Sequence, residues 1–449
     1  MQLLRAALLL VALLAKVSLL AQPEPLSLAD AIGKALQENF DIQIEKQRIR
    51  RATLDNNWGD AGRFPSLNLD LQQGNTVTNI DNPAAFLTGD ILNNNFQPSL
   101  ALNWTLFDGW RVRANKARLD ALQEETKGNA DIVIENTIQE LIKGYYLATL
   151  EWERLQVQAK LLGYSRDRYA YVQLRKDLGS AVSADLLLEE TNFLGDSIAY
   201  LNQRLAYQNA LRNLNQLMGQ TDINAEYLLT DSLKAVPKTF DISDLQTQML
   251  VSNANLYRQY LTQQVAAQNV QLAKAAQYPT IDLTARASQN RNRQDLSGAQ
   301  LISGNSFENP VNTAITTSYS GGLGLRFTIF NGGQIKRAIQ RAQIEQDLTQ
   351  VQFDRQQQLL LRDLHNLLDT YNTRRQLLRI ARQSEAVAQQ NFDISQERFR
   401  LGTINSLDLR IIQNNLLNAA NAARQAVYNL IATETDLLRL TGGILQEEK

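Results

Sequence analysis

The chain has 449 residues, with 45 basic against 46 acidic side chains, no cysteine and a single histidine. The near-neutral balance leaves no electrostatic footprint for nucleic acid. The lack of cysteine excludes disulfides, thiolate nucleophiles, cysteine metal sites and lipidation on an N-terminal cysteine. His365, beside Leu364 and near Leu367 in a helical pattern, reads as structural. With no Gly-rich phosphate loop and no carboxylate cluster, no catalytic constellation, cofactor site or metal site is visible.

In chain order, residues 1–21 read as a secretory signal peptide: Arg5 gives a positive start, Leu8 to Leu14 an apolar core, and Ala21 a small residue before Gln22. The other reading is a short membrane anchor, although the apolar run falls short of the ~20 residues a spanning helix needs. Beyond it no comparable apolar run occurs, so transmembrane helices are not expected; an exported chain can still be integral as a closed barrel. Ser27 to Arg63 reads as a helix, with Ser27 and Asp30 as a capping box and Pro65 ending it. Leu67, Leu69 and Leu71 then alternate with polar residues, as do Leu100, Leu102, Trp104 and Leu106. This period of two gives each strand one apolar face. The polar segment from Gln73 to Pro98 reads as a long loop between them. Trp110 to about Lys176 reads as a helix of roughly 100 Å at ~1.5 Å per residue, interrupted by Gly128, Gly144 and Gly163. A turn at Leu178 to Ser183 returns the chain as a helix to Gly219, with Ser183 read as its N-cap. Gln220 to Thr239 reads as a linker.

The same order then repeats. Asp244 to Gln277 is a helix ended by Pro279, and Ile281, Leu283 and Ala285 alternate, as do Leu323, Leu325, Phe327 and Ile329. A loop is expected from Ser288 to Ser318, a helix from Gln334 to about Arg400, and a turn at Leu401 to Ser406 before a last helix to Gly442, with Ser406 as N-cap. Phe64-Pro65 returns as Tyr278-Pro279. Phe107-Asp108-Gly109 returns as Phe330-Asn331-Gly332, and Leu178-Gly179-Ser180 as Leu401-Gly402-Thr403, the last two pairs at a constant offset of 223. The expected organisation is a signal peptide (1–21), a first structural repeat (22–236) and a second (237–449), the repeats forming one elongated domain. Along the last helix Leu416, Ala423, Leu430 and Leu437 stand seven apart, a coiled-coil seam or a simple bundle core.

Alternation alone also fits a water-soluble sheet packed on helices. If the strands cross a membrane, four cannot close a barrel, and open edges are not tolerated in lipid. Several chains would then share one barrel whose strand number is a multiple of four. Asp70, Asp282, Arg286 and Arg326, on the polar faces, would line its lumen.

Taken in order and twice over, these elements resemble the TolC-like outer-membrane efflux proteins across essentially the whole mature chain. The resemblance implies an α+β, mainly α, fold: a long α-helical barrel of coiled coils, with two β-hairpins per chain contributing to a shared 12-stranded transmembrane β-barrel. It implies a homotrimer in outer-membrane lipid, its helical part in the periplasm. It further implies passive conduction as the exit duct of a tripartite efflux or type I secretion system, partnered by a periplasmic adaptor and an inner-membrane pump. The adaptor-contact tips would be Leu178, Gly179 and Ser180 with Leu401, Gly402 and Thr403. Asp408, and less so Asp185, would stand at the tunnel entrance, where a carboxylate ring favours cations. Both also suit a plain helix start, since an acid in the first turn complements the helix dipole. The family's second entrance aspartate falls on Ile411, a departure from its pattern. The competing reading is an exported soluble coiled-coil scaffold or adhesin; an enzyme is the weakest.

Overall fold

The structure is a computed structural model that describes residues 24–82, 84–305 and 307–444. The expected signal peptide lies outside the described residues. The element order is β1 (Glu24–Leu26), α1 (Leu28–Glu38), α2 (Phe40–Asp55), β2 (Ser66–Ile80), β3 (Leu87–Phe107), α3 (Arg111–Asp177) and α4 (Ser183–Met218). It continues with β4 (Tyr227–Leu229), α5 (Ile242–Ser252), α6 (Ala254–Ala275), β5 (Thr280–Leu301), β6 (Val311–Arg326), α7 (Gln334–Arg400) and α8 (Ser406–Leu440). The chain forms two compact units, each drawing on both copies of the repeat. One holds Lys127–Arg258, Phe353 onward and the N-terminal residues to Ile49; the other holds Arg50–Thr126 and Gln259–Gln352.

The first unit is helical. Its cores follow the duplication. Leu141 and Leu214 of the first copy are fully buried in one cluster, and their counterparts Leu364 and Leu437 in another. The expected seam is real: Leu416, Ala423, Leu430 and Leu437 are all buried, with Ala420 and Val427 beside them. The Ser27–Asp30 capping box is formed, Ser27 Oγ accepting from Asp30 N at 3.1 Å. The expected continuous helices, Ser27 to Arg63 and Asp244 to Gln277, are each broken after 11 residues, at Asn39 and Asn253. Both asparagines adopt extended backbone and repeat one set of bonds. The Asn39 amide donates to Leu217 O (2.9 Å) while its Oδ1 accepts from Ile42 N (3.1 Å); the Asn253 amide donates to Leu440 O (2.8 Å) while its Oδ1 accepts from Leu256 N (3.1 Å). Each thus caps the next helix and ties it to the end of a return helix. Gly219 and Gly442 permit this approach: a Cβ there would lie 2.2 Å from Glu38 O and 2.3 Å from Ser252 O.

The segment read as a linker is folded. β4 pairs in parallel with β1, Glu24 opposite Tyr227, and Leu233 and Ala235 enter the core. Tyr145, fully buried, donates to Leu26 O at 2.8 Å and accepts from Asp231 N at 3.1 Å, and burial pushes its phenol up to about 12. His365 is exposed rather than packed as expected; its neighbour Leu364 fills the core position.

The second unit carries a four-stranded antiparallel sheet of order β2-β3-β5-β6. The strands run 15, 21, 22 and 16 residues, so most of the two expected loops is strand. Among the described residues of these two segments, only 81–82, 84–86, 302–305 and 307–310 lie outside the strands. The extra length is mostly polar, and its scattered apolar residues follow no clean alternation, yet backbone pairing holds it and Ile91, Leu296 and Ala299 form a small buried cluster. Side-chain amides add cross-strand bonds, such as Gln73 Nε2 to Asn94 Oδ1 at 2.9 Å. The pairing of β3 with β5 skips Gln97 and Pro98, where proline has no N–H to give. β6 ends at Arg326, leaving Phe327 and Ile329 outside the strand and exposed. α2 ends at Asp55, ten residues before Pro65, because Asn57 Oδ1 accepts from Gly59 N and Asp60 N and turns the chain early.

Candidate functional site

The two helical turns are built alike from their residues. Past α3, Ser180 N donates to Arg175 O (2.7 Å), Gly179 N to Lys176 O (2.9 Å), and Ser180 Oγ to Arg175 O (2.9 Å). Past α7, Thr403 N donates to Arg398 O (2.9 Å), Gly402 N to Phe399 O (3.0 Å), and Thr403 Oγ1 to Arg398 O (2.9 Å). These paired bonds close a helix with a left-handed residue, and both glycines have φ +73°. Several carbonyls of each last turn are thereby satisfied, while the apolar residue of the turn stays exposed. Leu178 is 74% exposed and Leu401 71%. Both turns present a leucine, a bare glycine and a hydroxyl to the outside.

The return helices start one residue earlier than expected. Asn405, not Ser406, caps α8, accepting from Asp408 N at 2.8 Å; Val182 precedes α4 with no side-chain cap. Asp185 and Asp408 occupy the first turns and are both exposed. Just beyond them lies a group of buried charges that sequence reading missed. Arg410 on α8 donates twice to Asp196 on α4, at 2.6 and 2.7 Å, and Ser165 Oγ on α3 also bonds Asp196. Arg168 faces Glu189 at 3.5 Å, both nearly fully buried, and loss of solvent pulls the Arg168 guanidinium down despite Glu189. Asp196 and Arg410 stand 214 residues apart on helices rich in charge, so each alone reads as a solvated side chain. Ring contacts add to this end: Tyr164–Phe392 at 5.5 Å and Tyr171–Phe399 at 6.3 Å join α3 to α7 beside a cavity of about 370 Å³.

Two apolar stripes on these helices have no partner among the described residues. On α4, Leu194, Ile198, Leu201 and Leu205 are exposed at spacings of four, three and four. On α7 and just past it, Ile380, Val387, Ile394 and Leu401 are exposed seven apart. Such spacing is that of a coiled-coil seam.

The sheet presents a larger exposed apolar surface. Register places Leu67, Leu102 and Ala285 in one row, and Trp104, Leu283 and Leu323 in another, on a single face. Leu69 is 67% exposed and Leu325 69%. The opposite face is polar: Asp282 accepts from Thr105 Oγ1 at 2.7 Å, and Arg286 donates to Ser99 Oγ at 3.0 Å. β2 and β6 are the two edges of the sheet. Among the described residues no helix is long and apolar enough to cross a membrane, and no cluster of metal-ligating side chains occurs.

Comparison with known proteins follows the same lines. The family model described as outer membrane efflux protein matches residues 31–220 and 245–443, one block in each copy. Outer membrane efflux protein BepC of Brucella suis biovar 1 is 23% identical over 350 residues, covering 78% of this chain and 72% of that protein. Outer membrane protein TolC of Escherichia coli K12 is 21% identical over 368 residues, covering 78% and 70%. The crystal structure of the Campylobacter jejuni CmeC outer membrane channel shares the fold, with a TM-score of 0.72 at 18% identity over 93% of this chain and 85% of that one.

Proposed function

Since the chain belongs to the outer membrane efflux protein family, we propose that three copies assemble into one outer-membrane exit duct, conducting passively for an inner-membrane pump through a periplasmic adaptor. The observation that carries this is the sheet: a wide exposed apolar face backed by a polar one, with β2 and β6 left as open edges. In water such a face and such edges are a liability for aggregation. In lipid the face is satisfied, but every edge must pair. Pairing β6 of one copy with β2 of the next meets both demands, and three copies give twelve strands. The exposed stripes on α4 and α7 favour the same answer, since a neighbouring copy supplies each with a seam. No reaction is catalysed and no cofactor is required.

Within this duct the turns Leu178-Gly179-Ser180 and Leu401-Gly402-Thr403 contact the adaptor, and Asp408 rings the tunnel entrance. The exposed leucines and the matching hydrogen-bonded turns support the first assignment; the exposure of Asp408 supports the second. Asp185 serves mainly to complement the start of its helix. The deciding experiment is the native mass of protein extracted from outer-membrane fractions in mild detergent. A detergent-dependent species of three chains is expected. A monomer or dimer that stays soluble without detergent overturns the duct and leaves an exported coiled-coil scaffold.

A further inference from the structure

Toward the hairpin ends the apolar face of the sheet is crossed by a pair of arginines, with Val77, Leu92 and Val311 in the row beyond them. Along β5 its residues are Ile281, Leu283, Ala285, Ala287 and Gln289, followed by Arg291 and Arg293. Pairing confirms the row. Arg291 stands opposite Phe96 and Ile315, and Arg293 opposite Asn94 and Thr313, so neither meets an acid across the strands. Both side chains are exposed. They are the first charges met on this face above Ile281; its acids, Asp295 and Asp90, lie further toward the hairpin ends. Asp295 accepts from Ser297 N at 3.0 Å and Ser297 Oγ at 2.6 Å, and Arg293, two residues away on the same face, also acts on it electrostatically. β5 is an inner strand, flanked by β3 and β6 of its own chain, so the pair is complete within one copy.

Their height decides what they meet. Ten steps from Ile281 to Arg291 at ~3.3 Å, on a strand tilted about 40°, rise roughly 25 Å. That equals the apolar band of an outer-membrane barrel. The arginines therefore emerge where hydrocarbon gives way to headgroups, on the leaflet at the hairpin ends, remote from the helix-bearing ends of the strands. A guanidinium fork binds phosphate oxygens in pairs, and its strength rises in a partly desolvated site. We propose that Arg291 and Arg293 form a binding site for the phosphate groups of an outer-leaflet lipid, whose acyl chains lie along the leucine face below. This rests on the reading of that face as lipid-facing.

The test is retention of diphosphorylated lipid A by the intact assembly in mixed detergent micelles, against phosphatidylcholine and inorganic phosphate. The wild-type protein should retain lipid A in preference to phosphatidylcholine, and millimolar inorganic phosphate should not displace it. Arg291→Gln with Arg293→Gln should lower retention roughly twenty-five-fold, at about fivefold for each basic residue at a membrane surface. The lysine pair, Arg291→Lys with Arg293→Lys, keeps the charge but not the fork and should fall between; it carries the test if the glutamine pair fails to assemble. Equal retention by wild type and variants overturns the proposal, as does equal retention of phosphatidylcholine by the wild type. Displacement by inorganic phosphate overturns the lipid in favour of a free anion. Native mass separates the two levels. A detergent-dependent trimer without lipid A preference refutes the site alone, whereas a detergent-free soluble species refutes the membrane reading beneath it.

Discussion

Gly402 has φ +73° in open space, so a methyl group there meets strain without collision. Gly402→Ala should cost about 1–2 kcal/mol locally, speeding amide exchange at Thr403 while the native mass stays unchanged. Leu401→Asp separates the two roles of the turn. It leaves the backbone alone and removes an exposed apolar group, so it should abolish cross-linking to the adaptor; unchanged cross-linking would reduce the turn to a helix cap. If Asp408 rings the entrance, Asp408→Asn should reduce the cation preference of single-channel currents, and an unaltered reversal potential removes that role. Asp196 is a different case, because it is itself buried and its partner Arg410 is largely shielded from solvent. Asp196→Ala strands Arg410 without its carboxylate, a loss of about 3–5 kcal/mol, visible as a lower midpoint of chemical unfolding. Glu135 is 5% exposed on α3, and burial raises its carboxyl from 4.5 to about 7, with nearby Asp131 adding to the rise and Arg439 opposing it. The folded state then holds a proton that the unfolded state releases from pH 4.5 upward. Stability is full below pH 4.5 and falls until pH 7, by on the order of 3 kcal/mol. Glu135→Gln should therefore raise the unfolding midpoint at pH 8 and leave it unchanged at pH 4. At this scale sequence legibility was uneven. Ser27 and Asp30 sit three apart and announce their box, whereas Asp196 and Arg410 meet only through the fold.

Among the elements, periodicity succeeded where one face is apolar and failed where it is not. α7 was legible almost to its ends, since 67 residues from Gln334 lack both proline and glycine. The outer halves of β2, β3, β5 and β6 look like loop in the sequence, because Asn, Gln, Ser and Thr dominate them and the apolar residues between, such as Ile80, Ile91 and Leu296, do not alternate. The helix breaks at Asn39 and Asn253 were also hidden: no proline marks them, and the cause is a carbonyl on a distant helix. Leu102 tests the apolar face directly. Leu102→Arg should add roughly 2–4 kcal/mol per chain near the bilayer midplane and stop assembly in the membrane. Asn103→Arg, on the polar face of the same strand, should leave assembly intact and alter only conduction. Equal tolerance of both arginines, read as trimer recovered from membranes, would contradict the assignment of faces.

For the whole molecule, duplication was the most legible feature, because repeated turns at one offset of 223 survive where side chains have diverged. Less legible was how the copies combine: each compact unit is made from pieces of both, so neither repeat is a separate globule. The residues read as a linker show what this entails. β1, the first described strand, finds its only mate among the described residues in β4, with Glu24 opposite Tyr227. A chain threaded into its compartment N-terminus first must therefore carry that strand unmatched while the next two hundred residues arrive. Closing so long a loop is entropically slow. β1 is thus among the last parts of the first copy to be fastened, and the segment between the copies is what fastens it.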